Sequence, residues 1–356
     1  MQHSIFDAQN VLSSEISERK ESGLPVIECV PNFSEGRDFA KIRKIVASIE
    51  AIAGVKLLHI DTGADANRTV ITFAGTPEPV CDAAFAAIKT ASELIDMRYH
   101  HGKHPRIGSV DVCPLIPLQN ITMDATVTYA RKLARCTGEE LGIPVYCYEN
   151  AAFTPERKNL AFCRKGEYES LKQKLGEQKP DFGTDIFSEN VAKTGATIIG
   201  ARGFLAAVNF NLNTKSTDTA SAIASAIREK GNGVKLKGIK AIGWYIDDFD
   251  IAQVSVNITD ITATALHTVF EEVKKQASIK GVRVTGTEII GMIPEQILLD
   301  AGTYFFAKDN PDTNFPKEIL LEKAIQQLGL NDLKPFVPAE KILEYKLKSP
   351  LKLFIQ

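Results

Sequence analysis

What this 356-residue chain lacks narrows its reading before any motif does. No apolar run approaches the roughly 18 residues of a membrane span, and the first residues carry no apolar signal core. Cysteine is scarce and nowhere arranged as CxxC. The six, at 29, 81, 113, 136, 147 and 163, sit in apolar surroundings, which predicts reduced core thiols in a cytoplasmic protein. Neither sign of charge is in excess: the net value of −2 removes any global electrostatic reason to expect nucleic acid or an anionic membrane as partner. The one tryptophan, Trp244, stands with Tyr245 beside Asp247 and Asp248, the wrong charge for a strand that stacks bases. GxSxG, GxGxxG and HExxH are all missing, which removes the hydrolase elbow, the dinucleotide fingerprint and the zinc-protease helix.

Histidine is also rare, yet three of the six fall within five positions: His100, His101 and His104. Pro105, Arg106 and Gly108 follow, and then an apolar run from Val110 to Leu118 that Asp111 interrupts. Proline and glycine oppose a helix here, so the segment reads as a loop entering a strand, where a scaffold can aim imidazoles into a cleft. Imidazole titrates nearest neutrality, which makes proton transfer or metal binding the chemistry to weigh. A polar surface loop is the bland alternative.

Periodicity shows a duplicated architecture. Val26–Val30 reads as a strand, 38–52 as a helix with Phe39, Ile42, Ile45, Val46 and Ile49 on one face, and 55–73 as a hairpin. A small-residue helix over 80–96 and a strand over 110–116 complete β-α-β-β-α-β. The order recurs as strand 204–210, helix 218–229, strands 240–246 and 253–258, helix 264–277 and strand 283–293. Two ferredoxin-like βαββαβ units packed side by side make an α+β fold with a crevice between them. The second unit has no counterpart of the 100–106 insertion, which points to function for that segment. Between the units, 123–141 and part of 159–174 read as helices, 145–148 as a strand, and a polar loop runs on to Gly203. The expected division is an N-terminal arm over 1–23, a first subdomain over 24–202, and a second subdomain with tail over 203–356. No independent third domain is expected.

From the residues alone, His104 is the acid/base candidate. Asp61 ends one hairpin strand and Asn67-Arg68 opens the next, so Asp61 could hold a neighbouring charge state and Arg68 could clamp a carboxylate. Arg106 is a second candidate clamp, whereas Asp65 reads as a turn cap. Adjacent histidines on a turn rarely converge on one ion, so no metal site is expected. Cys113, inside an apolar strand, reads as an inert buried thiol.

The blocks Glu28-Cys-Val-Pro-Asn-Phe-Ser-Glu-Gly36, Asn67-Arg-Thr-Val70, Gly102-Lys-His-Pro-Arg-Ile-Gly108 and Asp111-Val-Cys-Pro114 resemble the signatures of glutamate formiminotransferases. So do Pro180-Asp-Phe-Gly183, Gly195-Ala-Thr197, Gly200-Ala-Arg202 and Ala241-Ile-Gly-Trp-Tyr245, so the likeness runs in order from about residue 24 to 345. The resemblance implies transfer of a formimino group from N-formimino-L-glutamate to N5 of tetrahydrofolate, a step of histidine degradation, in a folate cleft between the two subdomains. It implies His104 as the catalytic histidine, tetrahydrofolate as one-carbon acceptor, and a homodimer; the reaction so implied needs no metal. It also implies folate contacts on the loop from Gly183 through Thr184 to Gly195, which here is longer than the family's and lacks its usual prolines. The bifunctional members carry a cyclodeaminase domain after this region; the chain ends before one, so the transferase alone is expected. Two rival readings remain. One is a glutamate formyltransferase acting on 5-formyltetrahydrofolate; the other is a non-catalytic folate-binding protein.

Overall fold

A computed structural model describes residues 23–309 and 315–348. The arm expected over 1–23 therefore lies, apart from Gly23, outside the described residues, as does the tail beyond 348.

The first subdomain opens with β1 (Val26–Cys29), which continues past Pro31 as the two-residue β2 (Asn32–Phe33). Helix α1 (Phe39–Glu50) follows, started by the Asp38 carboxylate, which accepts from the backbone N–H groups of Ala40 and Lys41. Its buried stripe is Ile42, Ile45, Val46 and Ile49, as the periodicity predicts, but Phe39, expected on the same face, is exposed because it opens the first turn beyond the edge of the sheet. The hairpin is β3 (Val55–Gly63) and β4 (Arg68–Gly75). Helix α2 (Pro77–Leu94) has proline in its first turn, and its alanines 83, 84, 87 and 91 are fully buried, so it lies close on the sheet. β5 (Val110–Gln119) ends the unit.

β1 pairs with β4 and β5, and β3 with β4, which gives the ferredoxin-like order. The sheet does not stop there. After α3 (Met123–Leu141), β6 (Val145–Glu149) and β7 (Thr197–Ala201) add to β5 in parallel, making a seven-stranded sheet. The polar loop expected up to Gly203 is thus corrected. Thr197-Ile-Ile-Gly-Ala201 is a central strand with all five residues buried, and a parallel strand covered on both faces reads as a short apolar run without alternation. Short helices α4 (Leu160–Arg164), α5 (Leu171–Glu177) and α6 (Glu189–Thr194) cover the second face there, through Cys163, Leu171, Leu175 and Val191 over Val112, Tyr146, Tyr148 and Ile198.

The second subdomain repeats the path with β8 (Ala206–Leu212), α7 (Thr217–Ile227), β9 (Ile239–Ile246), β10 (Ile251–Ile258), α8 (Leu266–Ile279) and β11 (Val284–Ile290). Its four strands run in the order β11-β8-β10-β9. Val208, Phe210, Val254, Val256 and Ile289 face the helices and form one core with them. Helices α9 (Glu295–Asp309), α10 (Lys317–Leu328), α11 (Pro338–Lys341) and α12 (Leu343–Lys348) follow. α12 crosses back to the first sheet, where Leu343 and Leu347 join Met292 against Leu58, Ala74, Val26 and Leu118. Each aliphatic side chain buried in this seam contributes on the order of 1.5–3 kcal/mol. Among the described residues, no helix is long and apolar enough to cross a membrane.

Candidate active site

The histidine loop occupies the gap between α2 and β5, and its neighbours hold it from both sides. The Asn67 amide donates to the His101 carbonyl at 2.9 Å, while its oxygen accepts from the Gly36 N–H at 3.0 Å. At the far end Ser109 donates its N–H to the Thr194 carbonyl at 2.7 Å, and Ala196 donates to the Ile107 carbonyl at 3.1 Å. Gly195 has a φ of +69° and abuts Gly108; a Cβ there would sit 2.4 Å from the Ile107 carbonyl oxygen.

The three histidines have three different fates. His100 is buried, with Nε2 donating to the Asn67 carbonyl at 2.8 Å and Nδ1 accepting from Arg106 Nε at 3.2 Å, so both ring nitrogens are committed. His101 is exposed. His104 has Nδ1 2.7 Å from the Pro105 carbonyl oxygen. A carbonyl only accepts, so Nδ1 carries the proton and Nε2 keeps its lone pair. Among the described residues Nε2 has no hydrogen-bond partner.

Charge decides the state of that ring. Burial, and then the guanidiniums of Arg68 and Arg164, hold His104 well below the ordinary histidine value, so it is neutral at pH 7. Arg164, the last residue of α4, forks onto Asp111 at 3.0 and 2.6 Å, and Asp111 is almost fully buried. Burial draws Arg68 down to about 10 against the support of Asp111 and Asp61, leaving it fully charged at neutrality. Its buried Nε has no partner among the described residues. A neutral imidazole thus lies beside two cations, one with an unmet donor. That arrangement suits an anion bound next to a base.

The other expected residues fall elsewhere. Asp61 faces the second subdomain: its Oδ2 accepts from the Gly291 N–H at 2.8 Å and from Lys341 Nζ at 3.5 Å. Burial works to raise this carboxyl, but the His59 ring, the Lys341 ammonium and the Gly291 amide outweigh it and hold it well below the usual aspartate value. Arg106 is not brought to His104. Its guanidinium forks onto Glu169 at 2.7 and 2.6 Å, reaches Glu167 at 3.3 Å and supports His100. Arg106, Glu167 and Glu169 border a cleft of about 420 Å³ that His101, Gly102 and Gly166 also line and that excludes His104. Two positions along an irregular loop do not imply a shared face, and the two glutamates decide where Arg106 points.

Gly183 has a φ of +83°, and a Cβ there would meet the Ile143 carbonyl oxygen at 2.1 Å. Thr184 Oγ1 accepts from the Ile186 N–H at 3.1 Å, and Ile186 is exposed. α6 then fills the C-terminal half of this loop and packs beside α2, where Lys193 reaches the Glu93 carbonyl at 2.8 Å. Asp65, read as a turn cap, instead reaches the second subdomain: its Oδ2 accepts from the Asp247 N–H at 2.8 Å. Arg164 has no local sequence signal; Asp111, which breaks an apolar run, is the only hint that a buried cation must come to it.

Three comparisons bear on this geometry. Residues 26–202 match the family model described as the formiminotransferase domain, N-terminal subdomain, and residues 207–348 match the formiminotransferase domain. The chain is 42% identical over 305 residues to a glutamate formimidoyltransferase of Thermoplasma acidophilum, covering 85% of this chain and 99% of that one. It is 42% identical over 296 residues to a glutamate formimidoyltransferase of Streptococcus pyogenes, covering 83% and 97%. A formimidoyltransferase-cyclodeaminase of Sus scrofa is 42% identical over 347 residues, and the chain spans 63% of its length.

Proposed function

Because the chain belongs to the formiminotransferase domain family, we propose that it transfers the formimino group of N-formimino-L-glutamate to N5 of tetrahydrofolate, giving 5-formiminotetrahydrofolate and L-glutamate in histidine degradation. The observation that carries this reading is His104, neutral, with Nε2 free, between Arg68 and Arg164. N5 attacks the formimino carbon and forms the new C–N bond, while His104 Nε2 takes the N5 proton. The tetrahedral intermediate then collapses as His104 returns that proton to the glutamate nitrogen, whose bond to carbon breaks. An amide-type nitrogen leaves poorly unless protonated, and such general acid–base help is worth on the order of 10²–10⁴-fold.

Arg68 and Arg164 hold the donor's carboxylates. Filling the site with that anion offsets the two cations and raises the His104 pKa, which suits its second task as acid. Asp61 and Asp111 keep Arg68 charged in its buried position. Asn67 and Arg106 hold the histidine loop, Gly183 and Gly195 shape the 183–195 loop, and Thr184 sits at its exposed end, within reach of a folate tail. Residues 24–202 and 203–356 act as the two walls of the cleft, since β7 closes the first sheet at Ala201 and β8 opens the second at Ala206. The chemistry uses no metal. The homodimeric state follows from the family resemblance, and the cytoplasmic setting from the six scattered cysteines.

The test is a spectroscopic assay of purified protein with tetrahydrofolate and formiminoglutamate, and in parallel with 5-formyltetrahydrofolate and glutamate, before and after exhaustive chelation. Formimino transfer that survives chelation is expected. Turnover of the formyl pair alone would replace this reading by the formyltransferase one.

A further inference from the structure

Resting on that reading, we infer that Lys174 is a positioning residue for the reaction: its buried ammonium fixes the turn after α4, and through that turn it places Arg164 against the histidine loop. Lys174 lies on α5 and is only 5% exposed, on the same buried face as Leu171 and Leu175. Among the described residues no carboxylate pairs with it. Burial draws its pKa down, the cations Arg157 and Lys165 add to that, and only the Cys163 thiol opposes them. An apolar side chain would fill this place at less cost, since a buried charge without a counter-ion is expensive.

What the ammonium does is written in its bonds. Nζ donates to the Cys163 carbonyl at 2.6 Å and to those of Phe162 and Lys165 at 3.4 Å each. It also stands 5.4 Å from the centre of the Tyr146 ring. α4 has five residues, too few to persist alone, and the last carbonyls of a helix lack partners within it. A lysine at those carbonyls supplies the missing donors. Asn159 caps the other end, accepting from the Ala161 N–H at 3.1 Å. Held at both ends, α4 carries Arg164 as its final residue.

The segment fixed in this way meets the histidine loop at three points. Arg164 forks onto Asp111, whose Oδ1 also accepts from the Ile107 N–H at 3.2 Å. Tyr168 donates its N–H to the Arg106 carbonyl at 3.0 Å, and Glu167 accepts from the Arg106 N–H at 3.3 Å. No bond links Lys174 to His104 or Asp111 among the described residues. The cations that bear on His104 are Arg68 and Arg164, so Lys174 reaches the ring through Arg164.

The test is proton titration of His104 by nuclear magnetic resonance in the free protein, together with steady-state kinetics. Lys174→Met should move the His104 titration up toward the ordinary value of about 6.5, as Arg164→Gln should. The double variant should titrate where Arg164→Gln does, because the first change acts through the second. In the kinetics, Lys174→Met should raise the KM for formiminoglutamate roughly 10-fold and leave that for tetrahydrofolate within about twofold. An unmoved His104 in folded Lys174→Met, or a Lys174 effect undiminished in the Arg164→Gln background, would overturn the assignment. If Lys174→Met does not fold, Lys174→Gln, which keeps one donor, is read in the same way. Loss of fold in both would make Lys174 a structural residue and overturn the assignment too. The histidine titration needs no turnover. Wild-type protein without formimino transfer would therefore refute the proposed reaction, while the titration still decides the role of Lys174.

Discussion

The two subdomains trace one path and carry opposite chemistry. The first brings charge: Arg68, the Arg164–Asp111 pair and a neutral His104 gather at the start of β4 and β5. The second brings neutral groups, Trp244, Gln253, Asn209 and Asn211, with Glu288 the single carboxylate among them. Duplication supplied a second sheet face without a second histidine loop. Buried charge is costly unless paired or hydrogen-bonded, so one half concentrates it and the other carries mostly neutral hydrogen-bonding groups. The halves meet at Asp61 with Gly291 and Lys341, and at Asp65 and Lys103 with Asp247, so the division of labour depends on their being docked.

The sharpest way to break the comparison is to remove the base from the charged half. His104→Ala should lower kcat by roughly 10²–10⁴-fold with little change in either KM. His100→Ala should act differently. It orphans Arg106 Nε and the Asn67 carbonyl, so steady-state kinetics should change little beside a stability loss of about 1–3 kcal/mol in denaturant melts. A His104→Ala protein that stays folded with near-native kcat would remove the base from the mechanism.

A smaller effect comes from discharging the pocket. Arg68→Met should raise the KM for formiminoglutamate roughly 10- to 100-fold, the worth of a hydrogen bond to a charged group. It should also move the acid limb of kcat/KM upward, because one of the cations that depress His104 is gone. A limb that stays in place would mean that Arg68 does not help set the histidine.

The smallest expected effect tests the docking. Asp61→Asn should cost about 1–3 kcal/mol at pH 7 by weakening the hold on Lys341 and the Gly291 amide. The folded pKa of Asp61 lies below its unfolded value of about 3.9, so its contribution is present above that value and lost as pH falls below it. The stability gap between wild type and Asp61→Asn should therefore shrink below about pH 4. A gap independent of pH would show that the carboxylate charge does not join the halves.

Much of this was legible in the sequence, for reasons that also explain the rest. Alternating and helical periodicity revealed both βαββαβ units because each element buries one face. It missed β7, since Thr197-Ile-Ile-Gly-Ala201 is buried on both sides and flanked by glycines that read as loop. His104 stood out through its Pro-Arg-x-Gly context. Arg164 did not, because it meets Asp111 across 53 positions of chain that carry no local pattern. Arg106 shows the converse: proximity in sequence suggests a clamp beside His104, while Glu167 and Glu169 hold its guanidinium elsewhere. The inner face of the second sheet left its mark only as Trp244 next to acidic residues, which gives no hint that Gln253, Asn209 and Glu288 share that face.

The central claim is that His104 enters the reaction as a neutral base and gains basicity when the anionic donor fills the site. Proton titration of the six histidines by nuclear magnetic resonance, with His104 assigned through a His104→Gln variant, measures this directly. The account predicts that His104 titrates well below the ordinary histidine value of about 6.5 in the free protein, with Nδ1 protonated, and moves upward when formiminoglutamate is added. A His104 that titrates at or above that value in the free protein, or that does not respond to the donor, would contradict it.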